Sequence, residues 1–249
     1  MRAREAIDIP VQKFQLPQKS KSMSKKGKSY FTKVSKGKLV VFEGIDGSGK
    51  TTICRLLINY LKKRKIPFSH YSFPRYDKPW GKLIRRYLDG EFGSVGEVDP
   101  YLASVLYAGD RLTAAVKINQ DLKAGKIVIC DRYTASNIAH QAAKVGSHRG
   151  KTFTEWVERF EYENNKIPRE DLVLLLSVPP VISQKLMAKK KRDIHERNKK
   201  YLENVWQIFE DLAGKKNWRK INCVKNGKLR KPEEIHKEVL EILENRSIL

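Results

Sequence analysis

The chain has 249 residues, with 51 Lys and Arg against 28 Asp and Glu, a net charge of +23. That length allows one α/β domain with a substantial core, no apolar run approaches the roughly 20 residues of a membrane span, and so basic a chain favours anionic partners, either nucleic acid or phosphorylated small molecules. Its three cysteines, Cys54, Cys130 and Cys223, form no CxxC pair and have no metal-ligand spacing, which fits a reducing, cytoplasmic setting better than a disulfide framework.

Residues 1–36 hold ten basic and two acidic residues, a net +8, without steady periodicity, while the remaining chain still carries +15. They read as a disordered basic extension. Their lysine-rich, arginine-poor composition matches a mitochondrial presequence poorly. Met23 offers a second reading of where translation starts. The extension is also a candidate for salt-sensitive nucleic-acid binding. The globular domain is expected over 37–249.

The first element of that domain is an apolar, β-branched run, Leu39–Phe42, which suits a buried strand. It leads into GIDGSGKTT, a G-x-x-x-x-G-K-[ST] match on Gly44, Gly49, Lys50 and Thr51. Ile53, Leu56, Leu57, Tyr60 and Leu61 then recur at helical spacing, so the context is strand, glycine loop, helix. Gly44, Gly47 and Gly49 let the backbone reach positive φ and approach a ligand closely. Successive N–H groups and the positive end of the helix then face phosphates. Lys50 is positioned for the β- and γ-phosphates of a nucleotide, and the Thr51 hydroxyl for Mg²⁺.

Further strands are expected at Phe68–Phe73, Ile127–Cys130, Leu172–Val178 and Lys220–Val224. Helices are expected at about 50–64, 98–124, 134–145, 152–165, 180–191, 197–213 and 232–246. Alternating strands and helices imply right-handed crossovers and a parallel sheet covered on both faces. Ligands of such sheets bind at the carboxyl ends of the strands. The second strand ends in FPRYDKPWG, where Phe73 and Tyr76 bracket Arg75, aromatic rings beside a cation that suit a flat, phosphorylated ligand. On the helix from residue 98, Tyr107 and Arg111 stand four apart and share a face; Tyr107 suits stacking on a base, Arg111 a base carbonyl. The third strand delivers Asp131 and Arg132 beside the phosphate loop. Asp131 stands like the acid that holds Mg²⁺ in phosphate-loop enzymes, and Arg132 is a charged fork able to clamp two phosphate oxygens. Eight basic residues then crowd Lys185–Lys200, a solvated face or a mobile lid that closes over the transferred group and excludes water.

Phosphate loop, FPRY, the aromatic-x-x-x-Arg helix, DRYTASN and a basic run, in that order, resemble the thymidylate kinase family over residues 38 to about 225. The resemblance implies an α/β fold of the P-loop NTPase type, a parallel sheet of about five strands flanked by helices with a mobile basic lid. It implies phosphoryl transfer from ATP to dTMP with Mg²⁺, giving dTDP for dTTP synthesis, and a homodimer. Gly44, Ile45, Asp46, Gly47, Ser48, Gly49, Lys50, Thr51 and Thr52 would hold the ATP phosphates, and Thr51 and Asp131 the metal. Asp46 would also orient the acceptor's sugar or phosphate, Phe73 and Arg75 would line the dTMP side, and Tyr107 and Arg111 would take thymine. Arg132 would bridge acceptor and donor phosphates, and Ser136 and Asn137 would read the base edge. With Gly at position 47, the lid would supply the extra catalytic cation, Arg192 first and Lys191 second. His140 stands where relatives often carry Tyr, beside Gln141, which puts deoxyribose selection in question.

Two rivals remain at this point. One is another nucleotide or deoxynucleoside kinase of the same architecture, against which Phe73-Pro74-Arg75 favours an acceptor already carrying phosphate. The other is a nucleic-acid-binding ATPase, supported by the charge alone.

Overall fold

The computed structural model describes residues 36–94, 96–186 and 199–249, all within one compact unit, Val34–Leu249. The basic extension over residues 1–35 and the lid residues Lys191 and Arg192 lie outside the described residues. Five strands, β1 (Lys38–Glu43), β2 (Phe68–Ser72), β3 (Ile127–Asp131), β4 (Leu172–Ser177) and β5 (Trp218–Asn222), form one sheet in the order β2-β3-β1-β4-β5. Every pairing is parallel; Val40 of β1, for example, stands opposite Ile129 of β3 and Leu172 of β4. The chain therefore enters at the centre of the sheet, and the loops after β1 and β3 open side by side at its carboxyl edge.

The central strands read as unbroken apolar runs because both faces are covered. Val40, Phe42, Ile129, Leu174 and Ile221 face one layer, made by α1 (Lys50–Arg64) and α8 (Pro232–Asn245) through Leu57, Leu61, Val239 and Leu243. Leu39, Val41, Val128, Cys130 and Leu175 face the other. That second layer contains α3 (Pro100–Lys123), α4 (Thr134–Val145), α5 (Ser147–Glu158) and α7 (Lys199–Leu212). Among the described residues no helix is long and apolar enough to cross a membrane.

Several elements differ from the sequence expectation. Helix α2 (Pro79–Leu88) is absent from the expected helices, and only its first three residues fall in the strand-end stretch FPRYDKPWG. Pro79 is pre-set for a first helical turn, and Ile84, Tyr87 and Leu88 are buried against Val98 and Ala103 of the α3 side. The helix expected at 152–165 starts earlier and changes pitch, with Arg159–Asn164 forming a π-helical turn. The last expected strand is shifted to Trp218–Asn222, and a short hairpin follows, β6 (Val224–Lys225) with β7 (Lys228–Leu229). Asn226 and Gly227 both take positive φ at its tip, the backbone a tight hairpin turn demands. Helix α6 (Pro180–Leu186) covers the start of the helix expected at 180–191.

Candidate active site

The phosphate loop is fixed by backbone demands before any ligand is considered. At Gly44, φ is 143°, and an added Cβ would lie 2.7 Å from the Leu176 carbonyl oxygen, so only glycine fits. Gly49 precedes α1 with φ 88° and no side-chain cap, so the first N–H groups of α1 face the loop. The Lys50 ammonium folds back across the loop and donates to the Gly44 and Ile45 carbonyls, both at 2.9 Å, and to Ser48 Oγ at 3.4 Å. Burial, with the Arg132 charge adding to it, pushes Lys50 down to about 8. An anion in the loop offsets both effects. Ile45 itself points into the core, so its carbonyl rather than its side chain belongs to the loop.

The corner between β1 and β3 joins the loop to α4. The Thr51 hydroxyl donates to Asp131 Oδ2 at 2.9 Å. A hydroxyl and a carboxylate oxygen are hard donors, a set that suits Mg²⁺ completed by nucleotide phosphates and water. Arg132 takes the left-handed conformation, φ 67°, unusual for a non-glycine residue and typical of functional sites. Its guanidinium donates to the Gly44 carbonyl at 3.2 Å, to Ser136 Oγ at 3.1 Å and to the Asp46 carboxylate. Burial pushes the Asp46 carboxyl up, but Arg132 and then Lys50 outweigh that and hold it well below the usual range.

From this corner a cleft runs away from the phosphate loop. It brings together Asp46, Phe73, Tyr107, Arg111, Arg132, Ser136, Asn137, His140 and Gln141, nine of the residues expected from sequence, with Pro74, Tyr76 and Leu88 also in its wall. Arg75 is placed elsewhere. Its guanidinium is held by Asp110, with Nε to Oδ1 at 2.9 Å, and by Thr113 at 2.5 Å; its neighbour Tyr76 lines the cleft instead. His140 Nδ1 lies 3.1 Å from the Tyr201 hydroxyl. Burial and the Arg132 charge push His140 down to about 3, so the ring is neutral at pH 7.

Two buried acids stand behind the cleft, and the sequence reading did not single them out. Glu43, at the end of β1, accepts from Tyr133 N at 2.8 Å, Ser136 N at 3.1 Å and Ser136 Oγ at 2.6 Å. It caps the first turn of α4, which has no side-chain cap of its own. Burial raises its carboxyl. Glu161, in the π-helical turn, grips Arg111 through Nε and Nη2, both at 2.5 Å, with both side chains buried. It also accepts from Asn137 Nδ2 at 3.0 Å. Burial works against the Arg111 charge, but Glu161 outweighs it and raises the guanidinium further. A signal for Glu161 does exist in the sequence. Phe153, Val157 and Glu161 are spaced by four and all are fully buried, so an acid sits on an apolar helical stripe, where it needs a partner.

Comparisons with known proteins follow the same outline. A family model described as thymidylate kinase matches residues 42–239. A probable thymidylate kinase of Thermococcus onnurineus is 34% identical over 216 residues, covering 83% of this chain and 97% of that protein. The thymidylate kinase of Plasmodium falciparum is 27% identical over 206 residues, covering 83% of this chain and 89% of that protein. Among solved structures, a thymidylate kinase from Candida albicans superposes with a TM-score of 0.69 at 22% identity, covering 86% of this chain and 93% of that one. At that identity the superposition shows the fold alone, an α/β sheet of the P-loop NTPase kind.

Proposed function

The chain belongs to the thymidylate kinase family and phosphorylates dTMP to dTDP with ATP as phosphate donor, and on that premise we propose how its residues divide the work. The loop Gly44–Thr52 takes the ATP phosphates, with Lys50 swinging from the loop carbonyls to the β- and γ-phosphates. The cleft takes dTMP, its phosphate toward Arg132 and its base toward Tyr107, Arg111 and Asn137. Asp46 holds the acceptor's sugar or phosphate end in register with Arg132.

The observation that carries this reading is the arrangement of one cleft. Its aromatic, Arg- and Asn-bearing end lies away from the phosphate loop, and its Asp46–Arg132 end abuts that loop. Phosphoryl transfer asks for in-line positioning and for cations where charge develops. Arg132 meets both demands, since it already touches the loop at Gly44 and the cleft at Ser136. Thr51 and Asp131 would hold Mg²⁺, which when bound neutralises charge on the phosphate oxygens. Lys191 and Arg192 remain the proposed lid cations, by resemblance.

A homodimer is part of the proposal. On α3, Leu102, Leu112 and Val116 stay 59%, 41% and 68% exposed within one arc of the helix, an apolar stripe suited to a second copy. A monomer mass by light scattering would reject it. The acceptor reading is tested by mixing the protein with ATP, Mg²⁺ and, singly, dTMP, dUMP, UMP, dCMP, AMP and GMP, and following ADP release. A wide lead for dTMP is expected, with dUMP and UMP reporting what His140 does to methyl and sugar selection. No turnover of any mononucleotide would overturn the assignment.

A further inference from the structure

We infer that Glu161 is the specificity-setting positioning residue of the base site: by gripping Arg111 and Asn137 together, it makes the cleft present one donor and one acceptor to the base. This rests on the proposal that Arg111 and Asn137 face the base of dTMP. The argument begins with the chemistry of a carboxylate, which when ionised only accepts hydrogen bonds. Its two oxygens take Arg111 Nε and Nη2 at 2.5 Å each. The fork is thereby fixed, and the N–H groups that Glu161 does not take up are the two on Nη1 and the second on Nη2. The oxygen that binds Nη2 also accepts Asn137 Nδ2 at 3.0 Å, and that same amide nitrogen donates to the Ser104 carbonyl at 3.2 Å.

Both partners of Nδ2 are therefore acceptors without protons. Turning the Asn137 amide over would set its oxygen against two oxygens, so the amide has one allowed sense. Its Oδ1 is buried without a partner among the described residues, in a side chain that lines the cleft. An unpaired buried acceptor costs free energy until a ligand donor reaches it. With Arg111 Nη1 and Asn137 Oδ1 turned to the base, as the proposed function has them, the base would meet a donor beside an acceptor. Thymine matches that order, with O4 accepting and N3–H donating. Cytosine reverses it, with an amino group and a bare N3, and leaves both pairs mismatched. The π-helical pitch over Arg159–Asn164 is where the backbone departs from regular helix to hold Glu161 here, as such turns do at functional sites.

The test is Glu161→Gln. Whichever way its amide turns, an N–H opposes an N–H: against Arg111 Nε in one sense, against Arg111 Nη2 and Asn137 Nδ2 in the other. Ratios of kcat/KM for dTMP over dCMP isolate the base edge, since the sugar and phosphate are the same. In the folded variant the ratio should fall roughly 10- to 100-fold, the effect of one buried hydrogen bond of wrong polarity, while the ATP KM stays within about twofold. Glu161→Asp, which keeps the acceptor-only group, should recover selectivity relative to Glu161→Gln. A folded Glu161→Gln with the wild-type ratio overturns the inference and leaves the dTMP reading intact. A wild type without preference for dTMP over dCMP overturns both.

Should Glu161→Gln fail to fold, the wild-type chain still decides. With ¹⁵N-labelled Asn, assigned through Asn137→Ser, the Asn137 side-chain amide protons should shift little when dTMP binds, because they face Glu161 and Ser104. A large shift on binding would mean that the amide nitrogen faces the base, and the inference fails.

Discussion

Arg132 gives the sharpest prediction, because its side chain and its backbone make separate demands. Its guanidinium links Gly44, Asp46 and Ser136, and its backbone sits at φ 67°. Replacing it with Ala removes the fork and keeps the strained backbone. Replacing it with Gly removes the fork and the strain together. In both, kcat should fall by about 10³–10⁵, the typical effect of a transition-state arginine in phosphoryl transfer. The ATP KM should change by only a few-fold, since the loop N–H groups and Lys50 remain. Arg132→Lys, which keeps charge but not the fork, should fall between.

Stability separates the two deletions. A left-handed non-glycine residue costs roughly 1–2 kcal/mol, and the extra freedom of glycine in the unfolded chain takes back about 0.5–1 kcal/mol. Arg132→Gly should therefore be more stable than Arg132→Ala by about 0.5–1 kcal/mol, or about 1–4 °C in Tm for a domain of this size. Steady-state kinetics at saturating dTMP and thermal unfolding monitored by circular dichroism read the two parts independently. Retained kcat with only a raised KM refutes the transition-state role. An Arg132→Ala variant at least as stable as Arg132→Gly refutes the strain argument.

Three further outcomes are expected. Thr51→Ala should raise the Mg²⁺ concentration giving half-maximal rate, since Asp131 loses the hydroxyl 2.9 Å away; an unchanged Mg²⁺ titration counts against a metal role. Glu43→Ala strips the acceptor from Tyr133 N and Ser136 N and should cost about 2–6 kcal/mol in urea unfolding, at ~1–3 kcal/mol for each buried N–H. Glu43→Gln keeps one oxygen for both N–H groups and lets the Ser136 hydroxyl turn to accept, so its loss should stay below about 1.5 kcal/mol; equal losses in the two variants would contradict the capping role. His140 titrates at about 3 in the folded chain against ~6.5 when unfolded. Between those values the unfolded state binds the extra proton, so stability falls as pH drops through 6.5. From pH 7 to 5 the wild type should lose up to about 2 kcal/mol more than His140→Gln; parallel pH profiles would show that His140 is not held neutral.

The phosphate loop was legible because it is contiguous. Gly44, Gly49, Lys50 and Thr51 lie in one loop, and a strand buried on both faces announces itself as the run LVVF. Tyr107 and Arg111 were legible for a similar reason, since a spacing of four places them on one face of α3. Helix α2 was not, because Pro74, Pro79 and their charged neighbours resemble a loop, and only the packing of Ile84, Tyr87 and Leu88 on α3 makes the segment helical. The least legible residues were the acids. In a chain of net charge +23 the cations suggest phosphate but do not say where they point. In the fold each of the key arginines is held by an acid from a distant segment: Arg75 by Asp110, Arg111 by Glu161, Arg132 by Asp46 and, through Ser136, by Glu43. These partners lie 35, 50 and 86 residues apart for the three direct pairs, beyond any local pattern. A flexible cation attracts any phosphate, whereas one pinned at two or three atoms offers a fixed set of donors. On the proposed assignment, the basic residues would give this cleft its affinity for nucleotides, and the carboxylates that hold them would decide which nucleotide fits.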